Sequence, residues 1–582
     1  MFSISPLLYT LPALALVVSS SGAQIPPVTR RDNTQRQVFT SAVSASIESV
    51  LQARGIHGLT ATAVFANDST NPQFATYGNR TEDGDAVDKE TLFFIGSCSK
   101  AFLAGAMGIL MDDFASGKNT TALPDGIKSF TWETKVHDLI GNGSEWKLPD
   151  QFSTERTNVR DLLSHVVGLP GHDLAYRITD DVPALINRLQ HLKQNRELRQ
   201  EWQYSNPMYI VGSHIIATYT GKPFTEVVQE RILTPLNMTS AFYFASRVPS
   251  ELNISQSFTA QRRTPLWSTD DRLAEFIAGP GGLLTNPVDM SKWLAMMLNR
   301  GVNPVNNRTI ISEGAFDAIT ISSVIEAGKA SLPELSVVGY GMGWERYTYR
   351  GHEIVFHTGG VTGFTSFTAF FPFDGVAVHA ALNDGQALDV LVAAAFAIFD
   401  SALGLSPLET STTPASSGNS TSTSASISTR ADSNATIDLT AYAGTYSDPG
   451  YGNITFCAPD STFGDCPQVL ATFATIIPNL NSTPGLYANW DRFWTRQAML
   501  VPVSDNQWDF STATIYSEGF GKDTSPFTDS IYVTPFPALF DTEGETVKGF
   551  GMFGGFIGAV LEDEADATIP VKDRAEVYFT KQ

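Results

Sequence analysis

Phe93-Phe94-Ile95-Gly96-Ser97-Cys98-Ser99-Lys100-Ala101-Phe102 is the most telling run in this 582-residue chain. An apolar stretch enters it, Gly96 permits a close turn, and the pattern over Lys100–Ala115 predicts a helix leaving it. Ser97 then stands at a helix N-terminus, where unpaired N–H groups and the dipole favour developing negative charge. Lys100, three residues on, faces the same side. A serine hydroxyl is a weak nucleophile until a base takes its proton. A desolvated lysine with a lowered pKa can be that base. Ser-x-x-Lys alone arises by chance about once in a chain of this length. Its meaning depends on what accompanies it.

Two further segments do accompany it. Glu201-Trp202-Gln203-Tyr204-Ser205-Asn206-Pro207 puts a phenol and an amide two residues apart. The phenol of Tyr204 can shuttle protons, and the amide of Asn206 can orient the lysine and a substrate carbonyl. The same Tyr-x-Asn spacing recurs at Tyr77, Tyr451 and Tyr487. Gly-Asn after Tyr77 and Tyr451 reads as turn chemistry. His357-Thr358-Gly359-Gly360 then closes a predicted strand. Its glycines let a substrate backbone approach the strand edge, with Thr358 and Gly359 as substrate-binding candidates. The backbone N–H groups of Ser97 and Gly360 are a candidate oxyanion hole.

Around these segments the chain divides in two. Strand patterns cover Thr60–Ala66 and Gln73–Gly78 early, then Glu353–Thr358, Phe364–Phe371 and Ala377–Leu382 late, with a turn at Asp374-Gly375. Helical patterns lie between them at Lys100–Ala115, Val159–Val166, Pro183–Gln194, Met208–Thr218, Phe224–Ile232 and Val288–Leu298. Another follows at Ala387–Leu403. Strands from both ends with helices between imply an α/β (α+β) unit, in which one antiparallel sheet carries a helical layer. Residues 405–436 are rich in Ser, Thr, Pro, Gly and Asn and read as a linker. Short runs such as Ile531–Val533, Val547–Phe550 and Glu576–Phe579 follow, punctuated by turn residues, and imply an all-β barrel-like unit. The expected divisions are 1–23 (signal peptide), 24–36 (propeptide), 37–404 (catalytic unit), 405–436 (linker) and 437–582 (barrel).

The N-terminus points to export. An apolar run from Leu7 to Val18 ends in Ser21-Gly22-Ala23, which suits cleavage before Gln24. It is too short to span a bilayer. Arg30-Arg31 is a weaker processing signal. Glycosylation sequons begin at Asn67, Asn79, Asn119, Asn142, Asn237, Asn253, Asn307, Asn419, Asn434, Asn453 and Asn481. Cys457 and Cys466 are close enough to close a small disulfide loop in an oxidising compartment, leaving Cys98 as a buried free thiol. A net charge of -22 and a pI near 4.8 disfavour nucleic-acid partners. A secreted protein with no membrane anchor is expected.

The order Ser-x-x-Lys, Tyr-Ser-Asn, His-Thr-Gly resembles the serine β-lactamase and penicillin-binding protein superfamily, in its class C-like branch of esterases, D-amino peptidases and transesterases. Other segments are similar to landmarks of that branch. They are Val159–His165 continuing to Gly168-Leu169-Pro170, Arg231–Met238, Ala278–Leu283 and Gly339–Trp344. Val167 and Asn237 depart from the usual Ser and Gly. Leu439–Tyr446 is similar to the opening of a lipocalin-like barrel appended to such proteins. The resemblance implies that Ser97 is acylated and that Lys100 and Tyr204 share base and acid work. Asn206 then orients, and His357 replaces the lysine of Lys-Thr-Gly. It also places Trp344 against substrate. A neutral histidine holds a substrate carboxylate poorly, so efficient β-lactam hydrolysis is not expected.

The reading is a secreted serine hydrolase acting on a small-molecule or peptide ester or amide, with no cofactor and no metal. Acyl transfer through the same intermediate and an inactive binding protein stay open as alternatives. His352-Glu353-Ile354-Val355-Phe356-His357 has one residue too many for His-Glu-x-x-His and lies on a predicted strand. Gly-x-Ser-x-Gly is absent. His165 and His172 are read as structural.

Overall fold

Gly58–Phe65 pairs with Gln73–Gly78 on one side and with Val376–Leu382 on the other, Ala61 facing Ala380. The sheet continues antiparallel through Phe364–Phe371 and His352–Val361, then Glu345–Tyr349, Val338–Tyr340 and Val324–Ala327. Both ends of the unit thus build one eight-stranded sheet. The computed structural model describes residues 36–140, 146–408, 438–504, 506–530, 534–555 and 566–582. The expected signal peptide, nearly all of the propeptide and linker, Asn142, Asn419, Asn434 and the Ile531–Val533 strand lie outside the described residues.

The central strands are buried on both faces because side chains alternate and each face has a helical cover. Leu59, Ala61, Phe367, Phe371, Val378 and Ala380 face the helices Ser41–Arg54 and Leu388–Leu403. Val64, Phe364, Phe370, Ala377 and Ala381 join the larger core around the Lys100–Ala115 helix. That helix is apolar nearly all round, with every residue from Lys100 to Met111 buried, as suits a core helix. The Val159 helix ends at Leu163, earlier than its pattern suggests, because His165 takes a φ of 62°. The Phe224 helix gives way to a π segment at Gln229–Leu233.

The C-terminal unit is a nearly closed barrel. Its order is Gly452–Phe456, Gly444–Asp448, Val577–Lys581, Thr546–Met552, Phe536–Glu543, Gln507–Tyr516, Gln497–Pro502 and Leu486–Asn489. Cys457 and Tyr487 exchange backbone hydrogen bonds of 2.8 and 2.9 Å across the remaining gap. Tyr446, Phe456, Phe510, Phe540, Phe550 and Phe579 fill the interior. The Cys457–Cys466 disulfide joins the end of one strand to a helix, Cys466–Ala474, that the all-β expectation did not include. Among the described residues, no helix is long and apolar enough to cross a membrane.

Candidate active site

Gly96–Ser99 forms a single 3-10 turn that runs straight into the Lys100–Ala115 helix. The turn lies against the His352–Val361 strand, and two glycines make this possible. Gly96 has a φ of 50°, and a Cβ there would sit 2.6 Å from Gly360 N. A Cβ on Gly359 would sit 1.9 Å from Ile95 O. Either contact is below any real approach, so these positions exclude larger residues. Ser366 Oγ donates to Ile95 O at 2.7 Å, and Ser99 Oγ donates to Gly96 O at 2.7 Å. The Glu345–Tyr349 strand stops pairing at Phe356, which leaves the edge beyond it open beside the serine turn.

Lys100 is fully buried, and its Nζ has three oxygen neighbours. They are Ser97 Oγ at 3.1 Å, Asn206 Oδ1 at 2.8 Å and Pro280 O at 2.8 Å. Its amine also lies 4.6 Å from the centroid of the Tyr204 ring and 5.2 Å from that of Tyr209. Burial pushes its pKa down to about 7, with the negative charge of Asp173 opposing the fall. A large share of Lys100 is therefore neutral near pH 7. Neutral, it offers two N–H donors to Asn206 and Pro280 and a lone pair to the Ser97 hydroxyl.

Tyr204 reaches the same hydroxyl, with its OH 2.6 Å from Ser97 Oγ. Burial holds this phenol well above its ordinary pKa, so it is a protonated donor at neutral pH. His165, read as structural, is buried behind it. Its Nδ1 accepts from Ser205 N at 3.0 Å, and its ring lies 4.5 Å from that of Tyr204. It therefore fixes the Tyr204–Asn206 segment without approaching the serine through any hydrogen bond.

Asp173 was not singled out from the sequence. Asn206 Nδ2 donates to its Oδ1 at 3.1 Å, and burial raises its carboxyl to about 6. Asp173 therefore backs Asn206, which in turn holds Lys100. It lies three residues beyond Pro170 of the Gly168-Leu169-Pro170 landmark, but only the fold brings it to Asn206.

The third segment is divided. Thr358 and Gly360 are accessible along the open edge, with Gly359 packed beneath Ile95. His357 is buried, and both ring nitrogens are engaged. Nδ1 donates to Thr358 O at 2.5 Å, and Nε2 accepts from Tyr340 OH at 3.2 Å. Burial, then the charge of Lys100, pushes its pKa down to about 3. Expected as a catalytic residue in the place of the Lys-Thr-Gly lysine, it lies buried and neutral behind Tyr204, with ring centroids 6.4 Å apart, and its ring nitrogens bond to Tyr340 and Thr358. Trp344 requires a correction. It is 0% exposed and packs edge-on against Phe370, with centroids 5.5 Å apart, so it is core and out of reach of substrate.

His352 and His357 are five residues apart on one strand and point to opposite faces, and His352 Nδ1 meets Asp374 Oδ2 at 3.0 Å. Among the described residues no group of His, Cys, Asp or Glu is arranged to hold a metal ion. Cys98 is a buried free thiol; it donates to His357 O at 3.3 Å, and burial pushes it up to about 11. Asn67, Asn79, Asn237, Asn307, Asn453 and Asn481 are exposed. Asn119 and Asn253 are half-buried, and Asn119 Nδ2 already donates to Thr121 O at 2.6 Å.

Residues 43–403 match the family model described as Beta-lactamase. The protein named Unguisins hydrolase ungD' of Aspergillus campestris is 28% identical over 314 residues, covering 53% of this chain and 55% of its own. Unguisins hydrolase ungD of Aspergillus violaceofuscus is 28% identical over 308 residues, covering 49% and 51%. The chain thus spans about half the length of the curated relatives it matches. The octameric penicillin-binding protein homologue from Pyrococcus abyssi superposes with a TM-score of 0.51 at 17% identity, covering 89% of this chain and 98% of that one. At that identity the likeness speaks for the fold alone.

Proposed function

The chain belongs to the Beta-lactamase family, and we propose that it is a secreted serine hydrolase that opens an ester or amide bond through an acyl group carried on Ser97. The observation that carries this reading is the pair of contacts on one hydroxyl, Lys100 Nζ at 3.1 Å and Tyr204 OH at 2.6 Å. A buried lysine near pKa 7 and a protonated phenol are a matched base and acid. In acylation Ser97 Oγ bonds to the substrate carbonyl carbon while its proton passes to Lys100. The Ser97 and Gly360 N–H groups stabilise the oxyanion. Tyr204 hands a proton to the departing atom as the bond to carbon breaks, and the proton held by Lys100 restores the phenol. Water then repeats the sequence on the acyl-serine, releasing the acid.

Hydrolysis is favoured over acyl transfer because two relatives carry hydrolase names. A small-molecule or peptide substrate fits those names, and the neutral His357 argues against efficient β-lactam turnover. Export is supported by the N-terminal apolar run, the exposed sequons and the disulfide.

The test is intact-mass spectrometry after exposure to a fluorophosphonate and, separately, to p-nitrophenyl acyl esters, comparing wild type with Ser97→Ala. One adduct on wild type, absent from Ser97→Ala, together with ester turnover, supports the reading. A folded wild type that stays unlabelled sinks it and leaves a binding protein on this scaffold.

A further inference from the structure

The 3-10 turn Asp173–Ala175 stands between the barrel and the Lys100 amine. At its start, His172 is fully buried with a φ of 43°. Its Nε2 donates to Lys193 O at 2.8 Å, which leaves Nδ1 to accept from the barrel residue Tyr451, whose OH is 2.8 Å away. At its end, Tyr176 O accepts from Phe493 N in the barrel at 3.0 Å. Arg177 pairs antiparallel with Arg492, and the Arg492 guanidinium donates to Tyr451 O. The Phe493 ring packs at 6.2 Å on Phe276, which packs at 5.4 Å on Tyr176. The barrel thus grips both flanks of a turn whose one acidic side chain faces inward.

On that inner side, Asp173 Oδ1 accepts from Asn206 Nδ2 at 3.1 Å, and Asn206 Oδ1 accepts from Lys100 Nζ at 2.8 Å. Asn206 has one carbonyl and one amide end. With its amide held by Asp173, its carbonyl must face Lys100. If Asp173 were displaced, the amide group would be free to turn its N–H toward the lysine.

We propose that the barrel is a positioning part of the active site: Tyr451 and Phe493 fix the Asp173 turn, and Asp173 fixes Asn206 and through it the Lys100 amine. Asp173, His172 and Tyr451 are positioning residues, since none bonds to Ser97. The inference rests on the reading of Ser97 and Lys100 given above. The groups that face Lys100 are Cys98 on its own turn, Asp173, the rings of Tyr204 and Tyr209, and His165 and His357. Glu345, from the neighbouring strand, acts on Tyr204 and Cys98. Asp173 is the carboxylate whose charge favours the protonated amine. Loosening it lowers the lysine pKa and moves the acidic limb of activity to lower pH.

The experiment compares full-length wild type, Tyr451→Phe, Asp173→Asn and the double variant in p-nitrophenyl ester turnover across pH. Fluorophosphonate labelling runs alongside. Tyr578→Phe, whose lost hydroxyl bonds Asp541 inside the barrel, is the control. Tyr451→Phe is expected to lower kcat about tenfold with KM nearly unchanged, because misplacing a catalytic group costs rate. Its acidic limb shifts toward lower pH, as does that of Asp173→Asn. The double variant matches Asp173→Asn alone, since both act through one carboxylate. A labelled wild type whose profile superimposes on that of Tyr451→Phe, or effects that simply multiply, overturns the inference alone. An unlabelled wild type overturns the acyl-serine reading and this inference with it. If Tyr451→Phe fails to fold, His172→Gln and His172→Leu decide: the first keeps both bonds and the profile, and the second shifts it. Equal profiles for the two overturn the proposal.

Discussion

Tyr204 OH lies 2.6 Å from Ser97 Oγ, closer than the 3.1 Å of Lys100 Nζ. The nearer group is the one that burial keeps protonated, and the farther one is the one that burial makes neutral. The serine thus has a proton donor on one side and a proton acceptor on the other before any substrate arrives.

Replacing Tyr204 by Phe keeps the ring that packs on His165 and removes the donor. Loss of a positioned acid typically costs between 10²- and 10⁴-fold, roughly. We predict a fall of about that size in kcat for esters and amides whose leaving group needs a proton, and a smaller one for p-nitrophenyl esters, with the melting temperature nearly unchanged. A poorer leaving group should lose more than nitrophenolate, which departs without a proton. Equal losses for both would remove Tyr204 from the leaving-group step.

The pH profile follows from Lys100. The active form is the neutral amine, and its pKa sits at about 7. Activity should therefore rise with pH through that value and be lost below it as the amine gains its proton. His357, at about 3, stays neutral throughout and adds no limb in this range. Measuring kcat/KM from pH 5 to pH 9 checks this (an ordinary lysine would place the rise above pH 10). A limb near 7 that persisted in Lys100→Met would assign the titration to another group.

The chemistry legible in the sequence is the part encoded locally. Ser97 and Lys100 lie three residues apart where the 3-10 turn runs into the helix, and Tyr204 and Asn206 share one short segment, so each pair is close in sequence. Asp173 carries no such mark. It meets Asn206 across 33 residues, a contact that only tertiary folding makes. Trp344 and His357 are the opposite case. Both sit in landmark segments, yet strand alternation and the core around Phe370 decide which way such side chains face, and spacing does not report it. The barrel was legible as turn-punctuated strands, but its last rung, Cys457 to Tyr487, is a tertiary event.

Gly359 is the least replaceable residue of the open strand edge. Its backbone is ordinary, but a Cβ would stand 1.9 Å from Ile95 O and 2.6 Å from Ser366 Oγ. Gly359→Ala must push the serine turn away from the strand. Overpacking of this kind costs about 1–3 kcal/mol. We predict that loss in chemical denaturation, together with activity lost well beyond what the unfolded fraction explains, because Ser97 moves with Ile95. Wild-type turnover in the folded variant would show that the turn relaxes without disturbing the hydroxyl.

The three cysteines give separable predictions. Cys98 is buried, bonded to His357 O and pushed up to about 11, so its thiolate is scarce and out of reach. Ellman's reagent should find no thiol in the native protein and one per chain in guanidinium without reductant. Two or three thiols in the unfolded, unreduced chain would show that Cys457 and Cys466 are not joined. Their bond closes a loop with a sequence separation of 9, short enough that chain entropy alone contributes about 2–3 kcal/mol. Cys457→Ser should lower stability by about that amount. The bond ties the Cys466–Ala474 helix to the barrel on the side of Tyr487 and Met499, among contacts separate from those of Tyr451 with His172. Ester turnover at a temperature where the variant is folded should therefore match wild type. A shifted pH profile in this variant would mean that the barrel influences Lys100 through its overall stability and not through the Asp173 turn.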